Sequence, residues 1–344
     1  MPMSRARVAR RIAAAAAYGG GGVGLLGGAV IGLLLTEVRL ARRTVGGSEA
    51  APPTADGRYG AAFAAYGDGG AQPVRLAFLG DSTAAGQGVH RVGETPGAIL
   101  ASGLAAVAER PVDLVNVALP GACSDDLARQ VGLLLDGPGP APDVSVIMIG
   151  ANDVTHRMPP ADSVRHLAAA VRRLRDAGTE VVVGTCPDLG TIEPVYQPLR
   201  WVARRLSRQL AAAQTIAVIE LGGRTVSLGQ LLGPEFAANP REMFGPDNYH
   251  PSATGYATAA MAVLPTLCAA LGVWPDADAD ESVLPVADAA AAAAGASGTE
   301  VAAAEAAGTG ATAADGHRGP WALLRRRVAF GGGRRTEAGV SALT

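Results

Sequence analysis

The sequence predicts a three-layer α/β/α domain on a mostly parallel, five-stranded sheet. Three observations carry this: short apolar runs of strand type recur, stretches of helical period lie between them, and several runs end in small polar residues. Apolar runs alternating with helices indicate parallel strands joined by right-handed crossovers. The expected strands are 74–79, 112–118, 143–149, 180–185 and 215–221, and the expected helices are 95–109, 124–135, 161–177, 197–213 and 252–271. In the third of these helices Val164, Leu167, Ala168, Val171 and Leu174 form the buried stripe. Arg165, Arg172, Arg173 and Arg175 form its solvated face.

Val74 to Gly88 is the stretch around which the domain is organised. Its apolar run breaks at Gly80 and sets Asp81 and Ser82 at the carboxyl edge of the sheet, where open α/β folds keep their ligands. The second strand leads into Asn116-Val-Ala-Leu-Pro120-Gly121-Ala122, and the third into Gly150-Ala151-Asn152-Asp153. Asp247-Asn248-Tyr249-His250-Pro251 precedes the last helix. All four segments are expected on one sheet edge. Thr185-Cys186-Pro187-Asp188, after the fourth strand, is read as pocket wall or as an ordinary exit loop.

These residue types supply what acyl transfer requires: a nucleophile, a base, an orienter for the base and donors for an oxyanion. Ser82 is the candidate nucleophile and His250 the general base. Asp247, three residues earlier on the same loop, fixes the imidazole tautomer. The backbone N–H groups of Ser82 and Gly121 and the side-chain amide of Asn152 are the candidate oxyanion donors. Asp81 is expected to order the serine loop. The alternative for Ser82 is a helix cap, and for Asn152 a turn residue. His156 is a candidate substrate contact, His166 a surface residue, and Cys123 a competing nucleophile that lacks a base of its own. Ala84 replaces the second glycine of a G-x-S-x-G elbow, which argues against the α/β-hydrolase fold. No phosphate-cradling glycine pattern follows the first strand.

LGDSTAAGQGV, NVALPGA, IMIGANDV and DNYHPSATGY stand in the order shown by the SGNH (GDSL) hydrolases, and residues 74–272 resemble that family. The resemblance implies a flavodoxin-like version of the three-layer fold, a carboxylic ester hydrolase of the esterase/lipase type, and no cofactor or metal. Carried over by position, it implies Ser82, Asp247 and His250 as catalytic residues, with Ser82, Gly121 and Asn152 as the oxyanion hole. Ester or lipid substrates are expected, envelope acyl esters among them. Carbohydrate deacetylase and thioesterase activities of the same family are the alternatives, and a membrane-tethered binding protein is the non-enzyme alternative.

The flanks read differently. Residues 1–11 are basic through Arg5, Arg7, Arg10 and Arg11, and Ile12 to Leu35 carries no charge. As a helix that stretch spans about 36 Å, against about 30 Å of hydrocarbon. An uncleaved anchor is expected, because Thr36-Glu37-Val38-Arg39-Leu40 makes a poor cleavage site; a signal peptide is the alternative. The arginine bias places the amino terminus inside and the domain outside the cytoplasm. Gly20, Gly24, Gly28 and Gly32 share one helix face, whose spacing suits pairing of two such helices into a homo-oligomer. Residues 36–73 are expected as linker, 74–273 as the hydrolase domain and 274–344 as a disordered Ala/Gly-rich tail.

Composition sets the remaining bounds. All 29 basic residues are arginine, a bias that reflects GC-rich coding; the family members that the chain resembles are of actinobacterial type. A net charge of −2 argues against nucleic-acid binding. Cys123, Cys186 and Cys268 lack the paired spacing of a zinc site; buried thiols or one disulfide remain open.

Overall fold

The computed structural model describes residues 50–65 and 72–273, together with Gly32, Thr36, Glu37 and Leu40. The expected tail, and the expected anchor and its glycine face apart from Gly32, lie outside the described residues. In chain order the first elements are β1 (Gly57–Tyr59), β2 (Val74–Gly80), α1 (Ser82–Ala85), α2 (Pro96–Ala108) and β3 (Val112–Asn116). Then come α3 (Leu127–Leu135), β4 (Val144–Met148), α4 (Ala151–Thr155), α5 (Pro160–Asp176) and β5 (Glu180–Gly184). The domain closes with α6 (Leu199–Glu220), β6 (Arg224–Val226), α7 (Leu228–Ala238), α8 (Pro240–Met243) and α9 (Ala253–Ala270).

The sheet order is β1-β3-β2-β4-β5-β6, with β1 antiparallel and every other pairing parallel. Because β3 and β4 flank β2 on opposite sides, the chain reverses direction across the sheet at β2. Gly80-Asp81-Ser82 therefore emerges at the topological switch point, where such sheets bind ligands.

Alternating side chains of the strands build two cores, as the period of two requires. On one face Leu76, Phe78, Leu114, Val146 and Val182 pack under α2, α7 and α9. On the other, Ala77, Leu79, Ile147, Val181 and Val183 pack under α3, α5 and Val218 of α6. The chain thus has helices on both faces of a mixed sheet, a three-layer α/β/α fold. Helix α9 is the one described helix long and apolar enough to cross a bilayer by length and composition. Its Val263 and Leu267 are buried in the first core, and its Tyr256 is fully buried as well.

Two expectations are corrected. Residues 215–221 are not a strand: 215–220 are the last turns of the 22-residue α6, and the fifth parallel strand is the three-residue β6. The stretch expected as linker contributes β1, whose Arg58 forms a paired ion bridge with Asp113 of β3 at 2.7 and 2.8 Å. Ala55 lies in the first core with Tyr59 and Phe63 packed against it. The sheet gains a sixth strand this way, and β1 covers the β3 edge.

Candidate active site

Ser82 reaches its position through a turn that only glycine can make. Gly80 has φ +134, and a Cβ there would lie 1.9 Å from the Met148 carbonyl oxygen. Asp81 is the N-cap of α1, its Oδ1 accepting from the Thr83 N–H at 2.9 Å. Ser82 is consequently the first helical residue and not the cap, which leaves its hydroxyl available. Asp81 is buried, and desolvation pushes its carboxyl up to about 6 against the opposing hydrogen bond from Thr83.

The loop before α9 brings the base. The Asp247 Oδ1 accepts from the N–H groups of Tyr249 and His250 at 3.0 Å each, which coils residues 247–250 into a tight turn with Asn248 at φ +55. Asp247 Oδ2 lies 2.6 Å from His250 Nδ1, and His250 Nε2 lies 2.9 Å from Ser82 Oγ. Burial alone would raise the Asp247 carboxyl; the hydrogen bonds from His250 and the Tyr249 and His250 amides outweigh it and hold the group below its ordinary value. An ionised Asp247 can only accept, so Nδ1 carries the proton and Nε2 is free to accept from the serine hydroxyl. Gly88 supports this loop: a Cβ there would sit 2.9 Å from His250 Cβ. The Tyr256 hydroxyl donates to the neighbouring Gln87 carbonyl at 2.6 Å.

Gly121 has φ +82 in a Leu-Pro-Gly-Ala turn closed by the Ala122 N–H donating to the Leu119 carbonyl at 3.0 Å. No atom lies within 4 Å of a Cβ built at Gly121, so the backbone angle and not space calls for glycine. Asn152, on α4, donates through Nδ2 to the Ala122 carbonyl at 2.9 Å, which ties the two strand-end loops together and leaves its second amide hydrogen over. Ser82, His250 and Asp247 thus form one hydrogen-bonded chain. Gly121 and Asn152 adjoin each other through Ala122, and neither lines the cavity described below.

That cavity is about 90 Å³ and opens beside Ser82 and His250. Leu189, Ile192, Leu228, Leu232 and Phe236 make its wall mostly apolar, and Thr185, Pro187 and Asp188 after β5 complete it. Asp188 is buried there between Arg204 and Arg208, each 3.3 Å away.

The competing residues fall elsewhere. The His156 Nδ1 pairs with the Asn152 carbonyl at 2.9 Å and the ring stays outside the cavity. His166 sits beside Arg165 on α5. All three cysteines are free thiols. Burial, with Asp153, Asp125 and Asp126 nearby, pushes Cys123 up to about 11, the reverse of what a nucleophile needs. Among the described residues no group of three His, Cys, Asp or Glu side chains is placed to hold a metal ion.

Two residues that support the site carry no signal in the sequence. Gln130, fully buried on α3, accepts from the Gly80 N–H at 2.7 Å and donates to the Gly80 carbonyl at 2.9 Å. Gln214, fully buried on α6, accepts from the Cys186 N–H at 2.8 Å and donates to the Ile149 carbonyl at 3.1 Å. Each glutamine clamps backbone where a strand runs out of ladder partners. Asp153 does similar work, accepting from Ser124 N–H at 2.8 Å and from the hydroxyls of Ser124 and Ser163 at 2.5 and 2.6 Å.

Comparison with known proteins gives the family. The model of the GDSL-like lipase/acylhydrolase family matches residues 78–258. The chain is 45% identical over 236 residues to the GDSL-like esterase Rv1075c of Mycobacterium tuberculosis, covering 66% of this chain and 73% of that protein. Among solved structures, TesA matches at 25% identity over 57% of this chain and 99% of its own, with a TM-score of 0.44. An acetylxylan esterase of Geobacillus stearothermophilus, Axe2, matches at 18% identity over 59% of this chain and 97% of its own, also at 0.44.

Proposed function

The chain belongs to the GDSL-like lipase/acylhydrolase family and is an ester hydrolase, and from that premise we propose that it cleaves carboxylic esters through an acyl-enzyme on Ser82. The observation that carries this reading is the continuous chain from Asp247 through His250 to Ser82, at 2.6 and 2.9 Å, beside an apolar cavity. His250 Nε2 takes the Ser82 proton as Oγ attacks the ester carbonyl. The oxyanion is received by the N–H groups of Ser82 and Gly121 and by the second amide hydrogen of Asn152. Imidazolium, held by Asp247, then protonates the leaving alcohol. In the second half His250 takes a proton from water, which attacks the acyl carbon and frees Ser82. The chain's own side chains supply every proton transfer, with no cofactor in the scheme.

The apolar wall favours an acyl chain over a sugar in the cavity, so lipid or envelope acyl esters are the preferred substrates over carbohydrate acetyl groups. A thioester would be cleaved by the same groups. We place the enzyme on a membrane through residues 12–35, as a single-pass protein with its hydrolase domain, β1 included, outside the cytoplasm. The arginine excess of residues 1–11 supports that orientation.

The test is hydrolysis of p-nitrophenyl esters of increasing chain length by the full-length protein and by Ser82→Ala. Loss of turnover in Ser82→Ala is expected, along with loss of fluorophosphonate labelling. Equal rates in the two proteins would overturn the mechanism, and an intact protein that takes no label would favour the binding-protein alternative.

A further inference from the structure

We propose that the amino-terminal end of α6 and the loop before it rest on an anionic phospholipid surface, and that the pocket wall is thereby presented to lipid-borne substrate. The proposal rests on the anchor reading above. Its starting point is a contact from just past the apolar stretch. Gly32, Thr36, Glu37 and Leu40 are helical, and the Thr36 hydroxyl donates to the Gly32 carbonyl at 2.8 Å. The Glu37 side chain is buried, and its Oε2 accepts from the Leu199 N–H, the first amide of α6, at 2.9 Å. Leu35, the last residue of the uncharged stretch, is two positions earlier. Two residues span at most about 7 Å. The headgroup layer on each side of a bilayer is itself roughly 5–8 Å deep. A chain that leaves the hydrocarbon at Leu35 therefore holds the start of α6 at the membrane surface.

The side chains displayed there suit that location. Tyr196 is 64% exposed and Trp201 58% exposed, the two most exposed aromatic residues on the described surface. Trp and Tyr concentrate at membrane–water boundaries, where one end of the ring is wet and the other apolar. The Arg205 guanidinium stacks 5.9 Å from the centre of the Trp201 ring, so charge and ring travel together. Arg200, Arg204, Arg205 and Arg208 share this region with Glu37, Asp188 and Glu193, four cations against three anions, and this net basic charge favours an anionic surface.

The same arginines connect this surface to the site. Arg200 donates from Nε to the Val195 carbonyl at 2.8 Å and from Nη2 to the Glu193 carbonyl at 2.9 Å and the Ile192 carbonyl at 3.3 Å. Ser207 Oγ accepts from the Leu189 N–H at 3.3 Å. Residues 189–195 are thereby pinned to α6, while Leu189, Thr191 and Ile192 line the cavity. One short loop separates the acyl pocket from the aromatic surface.

The test uses the full-length chain reconstituted into vesicles of phosphatidylcholine and phosphatidylglycerol. Trp274→Phe and Trp321→Phe leave Trp201 as the single tryptophan. Vesicles containing phospholipid brominated near the headgroup should strongly quench Trp201 emission. Tyr196→Ser with Trp201→Ser should lose activity several-fold on a long-chain ester embedded in the vesicles and keep the rate on soluble p-nitrophenyl acetate. Carbonate extraction separates the two readings. Protein that floats with vesicles and resists carbonate, but whose Trp201 is not quenched, overturns the docking surface and leaves the anchor standing. Quenched protein released by carbonate supports the surface and overturns the anchor. Protein that does not float at all overturns both, and quenching with carbonate resistance supports both.

Discussion

Replacing Gln130 by Met tests how the serine is positioned. Met has nearly the same reach but cannot hydrogen-bond to Gly80, so the change removes two contacts with little change of volume. Gly80 lies past the last β2–β3 pair, Phe78 with Asn116, so its N–H has no ladder partner on that side and depends on Gln130. Its carbonyl keeps one donor, the Leu119 N–H at 3.1 Å. One orphaned buried donor costs about 1–3 kcal/mol and one lost second bond about 0.5–1.5, which gives roughly 2–4 kcal/mol in all. For a domain of this size each kcal/mol moves Tm by about 2–4 °C, so the expected drop is roughly 4–16 °C. Thermal melts at pH 7 read it directly. Because Gly80 sets the direction of Ser82, kcat on p-nitrophenyl acetate should fall as well, measured well below the melting range. A Tm within about 2 °C of the parent, less than a single kcal/mol would produce, would refute the argument that Gln130 holds the strand end.

Two further outcomes follow from the site's electrostatics. Asp247→Asn removes the acceptor that fixes the His250 tautomer while keeping the shape, and kcat should drop by about 10³–10⁴ with the fold intact by circular dichroism. The Asp81 carboxyl, raised from 3.8 to about 6 by burial, favours the folded state when protonated. Its contribution is full below pH 4 and is lost as pH climbs through 6, on the order of 3 kcal/mol for a shift of about two units. Asp81→Asn keeps a good N-cap and stays neutral, so it should melt higher than the parent at pH 8 and match it near pH 4; a gain that does not depend on pH would contradict this.

Where the chain writes a long apolar run or a glycine-marked strand end, the sequence was readable. β2, β4 and β5 start within one residue of the expected positions, and the four polar segments lie at strand ends or in the loop before α9. Residues 215–221, Thr-Ile-Ala-Val-Ile-Glu-Leu, misled because β-branched residues suggest a strand. In the structure Thr215 and Val218 are buried three positions apart, as a helix face demands, and the helix stops only before Gly222-Gly223. β6 is too short for a period to register, and β1 lies in a Gly/Ala/Pro-rich stretch whose strand character comes from pairing with β3. Asp81 was legible as ordering the serine loop, but its role as cap, which frees Ser82, emerges only from the backbone. Gln130 and Gln214 were invisible because a glutamine in an amphipathic helix reads as surface until its neighbours are known. Glu37 was hidden for a related reason: its partner is 162 residues away.

The separation of Ser82 from His250 has a consequence for biosynthesis. The two are 168 residues apart, one leaving the first long strand and the other entering the last helix. At translation rates of about 5–20 residues per second, the serine exists for roughly 8–34 s before its base has been made. No amino-terminal fragment of the domain can hydrolyse anything during that interval. Activity begins only once the carboxyl-terminal loop has closed over α1, so the enzyme stays inert through synthesis, beside the very membrane on which we place its substrates.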